Sequence, residues 1–246
     1  MRSWYMPAGL DGNRSPVATP ERSAVLSKVA SAVLGTHPRS LVAIDGRPGA
    51  GKSTFADELA QTIAASGVPV VRSTIDSFHR PHLDRTRLGP ASPEGYYRES
   101  HQLETLIAEL IEPFSSGHSH VLVAAFDEPS DTPTREHIEV PDSAVLVFDG
   151  LFLQRPELVP WWTKVVYLEA DHRLDQQWLD FLLAGLPAEP SEAAVCIDER
   201  LALARWPRYR DGWRLYYESE CPHEHASIVI DNNDFARPAI ARPPHH

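Results

Sequence analysis

Gly46-Arg47-Pro48-Gly49-Ala50-Gly51-Lys52-Ser53, followed directly by Thr54, is the stretch whose reading decides the fold. It satisfies G-x-x-x-x-G-K-[ST], the pattern of a phosphate-binding loop (P-loop). The apolar run Leu41–Asp45 precedes it and the helix-compatible run Ser53–Ser66 follows it, which is the context the pattern needs. Glycines let successive backbone N–H groups turn toward phosphate oxygens, and the positive end of the following helix adds to the attraction. Lys52 is expected on the β- and γ-phosphates, and the Ser53 hydroxyl on Mg²⁺. The pattern specifies a nucleoside triphosphate, expected as ATP with Mg²⁺ on residues 46–54, and no Asn-Lys-x-Asp motif marks a GTPase switch.

Working outward, short apolar runs recur at Val68–Ile75, Ala144–Asp149, Val165–Glu169 and Ile228–Asp231. They are rich in Val and Ile and apolar at consecutive positions, as in parallel strands buried on both faces. Helical stretches at Thr19–Leu34, Leu103–Ile111, Leu174–Leu183 and Asp198–Glu220 fall between them. This alternation predicts a doubly wound α/β fold with ligands at the carboxyl ends of its strands. Residues 76–100 read as a polar, Pro- and Arg-containing connection that breaks the strand and helix rhythm and could cover a substrate. His120–Phe126 and Glu136–Val140 read as an extended pair around Asp127–Thr134.

The 246 residues suffice for one domain, expected over 20–240, with flexible tails at 1–19 and 241–246. A net charge of −11 argues against nucleic-acid or anionic-membrane partners, so phosphate binding must be local. No apolar run approaches the roughly 18 residues of a membrane helix. The two cysteines, Cys196 and Cys221, suit a reducing cytoplasm. A homo-oligomer stays open.

Two aspartates end apolar runs. Asp149 closes Val145-Leu-Val-Phe-Asp149-Gly150 and fits the carboxylate that holds Mg²⁺ beside a phosphate loop. Asp76 closes the run after the loop and opens Asp76-Ser-Phe-His-Arg80.

At Asp76-Ser-Phe-His-Arg80 the chain resembles the uridine kinase and phosphoribulokinase family, whose second strand ends in a similar Asp-x-Phe-[Tyr/His] motif. Phe148-Asp-Gly-Leu-Phe152 is similar to the family's acidic segment, and Arg208-Tyr-Arg-Asp211 to its Arg-Gly-Arg-Asp. The resemblance runs from about Ser40 to Asp234. It implies a P-loop NTPase fold of three layers: a five-stranded parallel sheet of order 2-3-1-4-5, a substrate-side hairpin over 120–140 and a helical lid. It implies a phosphotransferase with an alcohol acceptor, a nucleoside or similar metabolite. Asp76 matches the general base, and Asp76, Ser53 and Asp149 would surround the Mg²⁺. Arg208 and Arg210 match the lid arginines that join Lys52 in stabilising transferred charge. Phe78, His79, Arg80, Tyr96, Tyr97, Arg98, Phe126 and Asp127 would line the acceptor pocket. The chain departs from the family at Gln176, Gln177, Asp180 and Phe181, where basic lid residues and an Arg-Asp step are expected. It departs again at Ala91-Ser-Pro93, where a ribose-binding Asp is expected. An antibiotic or other metabolite kinase, and a nucleotide-gated binding protein with little transferase activity, therefore stay open beside the nucleoside kinase.

Overall fold

The structure is a computed structural model, and it describes residues 19–34, 37–171 and 207–243. The Leu174–Leu183 stretch and the departures at 176–181 lie outside the described residues. The first helix, α1 (Pro20–Val33), starts where Thr19 accepts the Arg22 N–H at 3.2 Å and Pro20 pre-sets the first turn. Its buried residues Val25, Leu26, Val29, Ala30 and Val33 recur with helical spacing.

Strand β1 (Arg39–Gly46) is buried at every position and leads through the loop into α2 (Lys52–Ala65). Strand β2 (Val70–Thr74) follows, then a 3₁₀ turn at Ile75–Phe78 and the short helices α3 (His82–Arg85) and α4 (Pro93–Glu99). The polar connection expected at 76–100 therefore carries short helices. Ser92 accepts the Gly95 N–H at 3.0 Å and Pro93 sits at the first helical position, a start signal that the surrounding polar residues obscured.

Helix α5 (Leu103–Leu106) runs through a π-helical turn, Ile107–Ile111, into α6 (Glu112–Ser115). The hairpin strands β3 (His120–Asp127) and β4 (Thr132–Glu139) are antiparallel. β3 is buried except at its ends, whereas β4 alternates exposed with half-buried residues. Strands β5 (Ala144–Asp149) and β6 (Lys164–Glu169) return to the main sheet. Helix α7 (Pro207–Glu220), α8 (Pro222–His225), β7 (Ile228–Asp231) and β8 (Ala239–Arg242) complete the described chain.

The main sheet has six strands in the order β2-β5-β1-β6-β7-β8. Its first five are parallel and, leaving out the hairpin, follow the expected 2-3-1-4-5 order. The sixth strand corrects the five-stranded prediction. β8 pairs antiparallel with β7, so residues 241 and 242, expected in a tail, belong to the sheet. Ala-Ile-Ala-Arg between prolines carries too little pattern to announce a strand. The free edge of β7, Ile240 packing and Arg242 donating to the carbonyls of His223 and Ala226 make it one.

Each face of the sheet carries its own core. α1 and α2 cover one side with Phe55, Leu59 and Ile63, while α5, α6 and β3 cover the other with Leu106, Phe114 and Val123. Truncating such a residue to Ala costs about 2–5 kcal/mol, so the strand ends that carry the site are rigid. Among the described residues no helix is long and apolar enough to cross a membrane.

Candidate active site

At the carboxyl end of β1 the backbone turns at Gly46, whose φ is +150°. A Cβ there would lie 2.6 Å from the Leu168 carbonyl oxygen of β6, so no other residue fits. Gly49 and Gly51 take φ of 77° and 78° and carry the chain round to the start of α2. Lys52 spans the loop with Nζ donating to the Arg47 carbonyl at 2.8 Å. Burial lowers its pKa, opposed by Asp45, Asp149 and Asp76, which place three negative groups around the ammonium. The loop is backed from far along the chain. Asn232 Nδ2 donates to the Ala50 carbonyl at 2.8 Å, and Arg22 donates both to Asn232 Oδ1 and to Glu58.

Ser53, at the start of α2, donates from Oγ to Asp149 Oδ2 at 2.7 Å. Helix α2 and strand β5 thus bring two hard oxygen donors together beside the loop. That donor set fits Mg²⁺ better than a softer metal. The other Asp149 oxygen, Oδ1, lies 2.7 Å from Nη2 of Arg72, and both side chains are almost wholly buried. Arg72 also reaches Asp57 at 2.9 Å and donates to the Ser73 and Val147 carbonyls. An arginine inside a strand buried at every position has no local sequence explanation. Its partner, 77 residues later, supplies one.

Asp45 was also missed, because it read as the end of a strand. It is fully buried and accepts from Gly46 N–H at 2.8 Å, from Gln154 Nε2 at 3.0 Å and from the Tyr216 hydroxyl. Burial raises its pKa, and these hydrogen bonds and Lys52 pull it back down. The network ties α7 to the strand that ends in the phosphate loop.

Beyond β2 and β5 a cleft of about 840 Å³ opens between the 3₁₀ turn, the hairpin and α7. Asp76, His79, Tyr96, Phe126 and Asp127 of the expected pocket line it, and Arg208 joins them. The Asp76 carboxyl faces solvent at this wall. The surrounding protein raises its pKa and Asp149 adds to the rise, with His79 and Lys52 opposing. Arg208 is buried over the Tyr96 ring, and its guanidinium donates to the Arg85, Gly89 and Pro90 carbonyls. Arg85, which sequence reasoning passed over, pairs across the cleft mouth with Glu128 at 3.0 Å and Asp131 at 3.5 Å.

Other expected site residues lie elsewhere. Phe78 is wholly buried in the core. Tyr97 packs on Phe152 and Tyr216 with its hydroxyl donating to Glu220 at 2.9 Å. Arg80 donates to the His101 carbonyl, Arg98 pairs with Glu94, and Arg210 is exposed beside Asp211.

No protein-family model and no curated protein matches the chain. Solved structures do. One described as a "Possible Uridine Kinase" from Bacillus stearothermophilus aligns with a TM-score of 0.63 and 24% identity, covering 85% of this chain and 96% of that one. A "putative fructose transport system kinase" from Silicibacter sp. aligns with a TM-score of 0.63 and 23% identity, covering 81% and 95%. The fold is therefore that of the uridine kinase and phosphoribulokinase-like P-loop kinases.

Proposed function

We propose that this chain, with its P-loop kinase fold, is an ATP-dependent kinase that transfers the γ-phosphate to a hydroxyl of a nucleoside-like or sugar-like small molecule. One observation carries the proposal. The Ser53–Asp149 pair sits at the phosphate loop, and Asp76, at the end of the neighbouring strand, faces the large cleft. ATP bound in the loop would point its γ-phosphate toward the cleft, where an acceptor has room. Mg²⁺ held by Ser53 and Asp149 would neutralise charge on the β- and γ-phosphates. Lys52 would add fixed positive charge in the loop. Asp76 would take the proton of the acceptor hydroxyl, and Tyr96, Phe126 and His79 would hold the acceptor in line. Alignment and charge neutralisation are most of what phosphoryl transfer asks of a protein.

A nucleotide-gated binding protein remains the second reading, favoured by one feature. The Arg208 guanidinium is already satisfied by three carbonyls, and Arg210 faces solvent, so neither is free and aimed at the loop. Kinase action then needs α7 to shift or other cations to serve.

Acceptor-dependent ADP formation over a panel of nucleosides, sugars and other alcohols separates the two. A kinase releases ADP only with the right acceptor, and a binding protein releases none. Lys52→Ala supplies the control. Its turnover should fall about 100- to 1,000-fold, the scale of a lost preorganised donor, with the domain still folded. Turnover equal to wild type would remove Lys52 from the phosphate site.

A further inference from the structure

We propose that Asp76, His79 and His101 form a binding site for a divalent transition-metal ion of the Zn²⁺ or Co²⁺ kind, on the acceptor wall of the cleft. One ligand atom from each lies within 4.8 Å of the other two. Bonds to Zn²⁺ are about 2.0–2.2 Å, so ligand atoms around an ion sit roughly 3–4 Å apart, and small side-chain rotations close the difference.

The backbone prearranges the three. Asp76 lies within the Ile75–Phe78 turn and His79 directly follows it. His101 arrives on a segment clipped to that turn by a β-bridge between His79 and His101. Gln102 N–H donates to the Phe78 carbonyl at 2.7 Å, Arg80 N–H to the Ser100 carbonyl at 2.9 Å, and the Gln102 side chain to the His79 carbonyl at 2.6 Å. The two imidazoles are held with centroids 4.7 Å apart.

Each ring also leaves a nitrogen for a metal. His79 Nδ1 is 3.0 Å from the Asp76 carbonyl oxygen, which can only accept, so Nδ1 carries a hydrogen and Nε2 is the nitrogen left for a metal. A carbonyl partner on the second nitrogen is the usual way a ligating histidine is oriented. His101 is 3% exposed, and among the described residues its ring has no hydrogen-bond partner although it lines the cleft. The ring thus stands at the cleft wall with no hydrogen bond from another described residue competing for its nitrogens.

Two imidazoles and one carboxylate select a borderline transition metal. The oxygen-only Ser53–Asp149 pair does not, so the two sites differ in the cation they prefer. The site shares Asp76 with the proposed reaction but does not depend on it. Its test reads binding rather than turnover.

Metal-stripped full-length protein is titrated with Co²⁺ and followed by visible absorption, then with Zn²⁺ in competition. One equivalent of Co²⁺ should give d–d bands, and one equivalent of Zn²⁺ should abolish them. His79→Ala, His101→Ala and Asp76→Asn should each weaken binding by at least about 10-fold. Replacing His245 and His246 together should leave it unchanged, which separates the site from the terminal histidine pair. If His101→Ala does not fold, the more exposed His79→Ala decides. Absence of a saturable spectrum, or one unchanged in His79→Ala, overturns the proposal. Metal binding by a wild-type protein that forms no ADP with any acceptor would sink the kinase reading and leave the metal site standing.

Discussion

Asp76→Asn is expected to cut acceptor phosphorylation by at least about 100-fold while ATP still binds. The substitution keeps the size of the side chain and removes its proton-accepting charge. ATP binding should survive because the loop's backbone N–H groups, Lys52 and the start of α2 lie on β1 and α2, whereas Asp76 follows β2. ATP at about 100 times its dissociation constant should stabilise wild type and variant alike, by about 2.7 kcal/mol. Acceptor-dependent ADP formation at saturating ATP is the deciding measurement. Near-normal turnover would move the base away from Asp76 and leave Asp76 as a turn residue of a nucleotide-binding fold.

Arg72→Leu is expected to destabilise the fold by about 3–5 kcal/mol, since it strands the Asp149 carboxylate in the sheet without its buried counter-charge. Leu would fill much of the space, so the loss reports charge more than volume. Arg72→Leu combined with Asp149→Asn should recover part of it, with a coupling of about 0.5–3 kcal/mol in a double-mutant cycle. Urea unfolding of the four proteins gives the cycle. Equal stability of wild type and Arg72→Leu would mean that Asp149 does not need the arginine. The same variant should also weaken Mg²⁺-dependent ATP binding, because Arg72 fixes the carboxylate that faces Ser53.

Much of this architecture was legible because it is written locally. The runs at 41–45, 144–149, 165–169 and 228–231 are consecutive apolar stretches of strand length, and each became a parallel strand. The loop was legible because only glycine tolerates its backbone, and the hairpin because its two halves are extended on either side of a turn. The illegible parts depend on residues distant in sequence. Nothing near Asp45 announces Tyr216 or Gln154, nothing near Arg72 announces Asp149, and nothing in 239–242 announces an edge waiting on β7. The acceptor wall shows the same division. Asp76-Ser-Phe-His-Arg80 marked the right turn, but whether each side chain enters the cleft depends on which face the fold buries. Phe78 went inward and His79 outward from adjacent positions.

The backing of the phosphate loop by Asn232 bears on how the protein is born. The loop's carbonyl at Ala50 is satisfied by a side chain 182 residues further on, and β1 lies between two strands that are made later. At translation speeds of about 5–20 residues per second, the loop leaves the ribosome roughly 10–40 s before the residue that completes it. A nascent chain halted short of Asn232 would hold the whole phosphate-binding motif yet lack its support. Gain of nucleotide affinity would then follow synthesis of Asn232 rather than emergence of the motif.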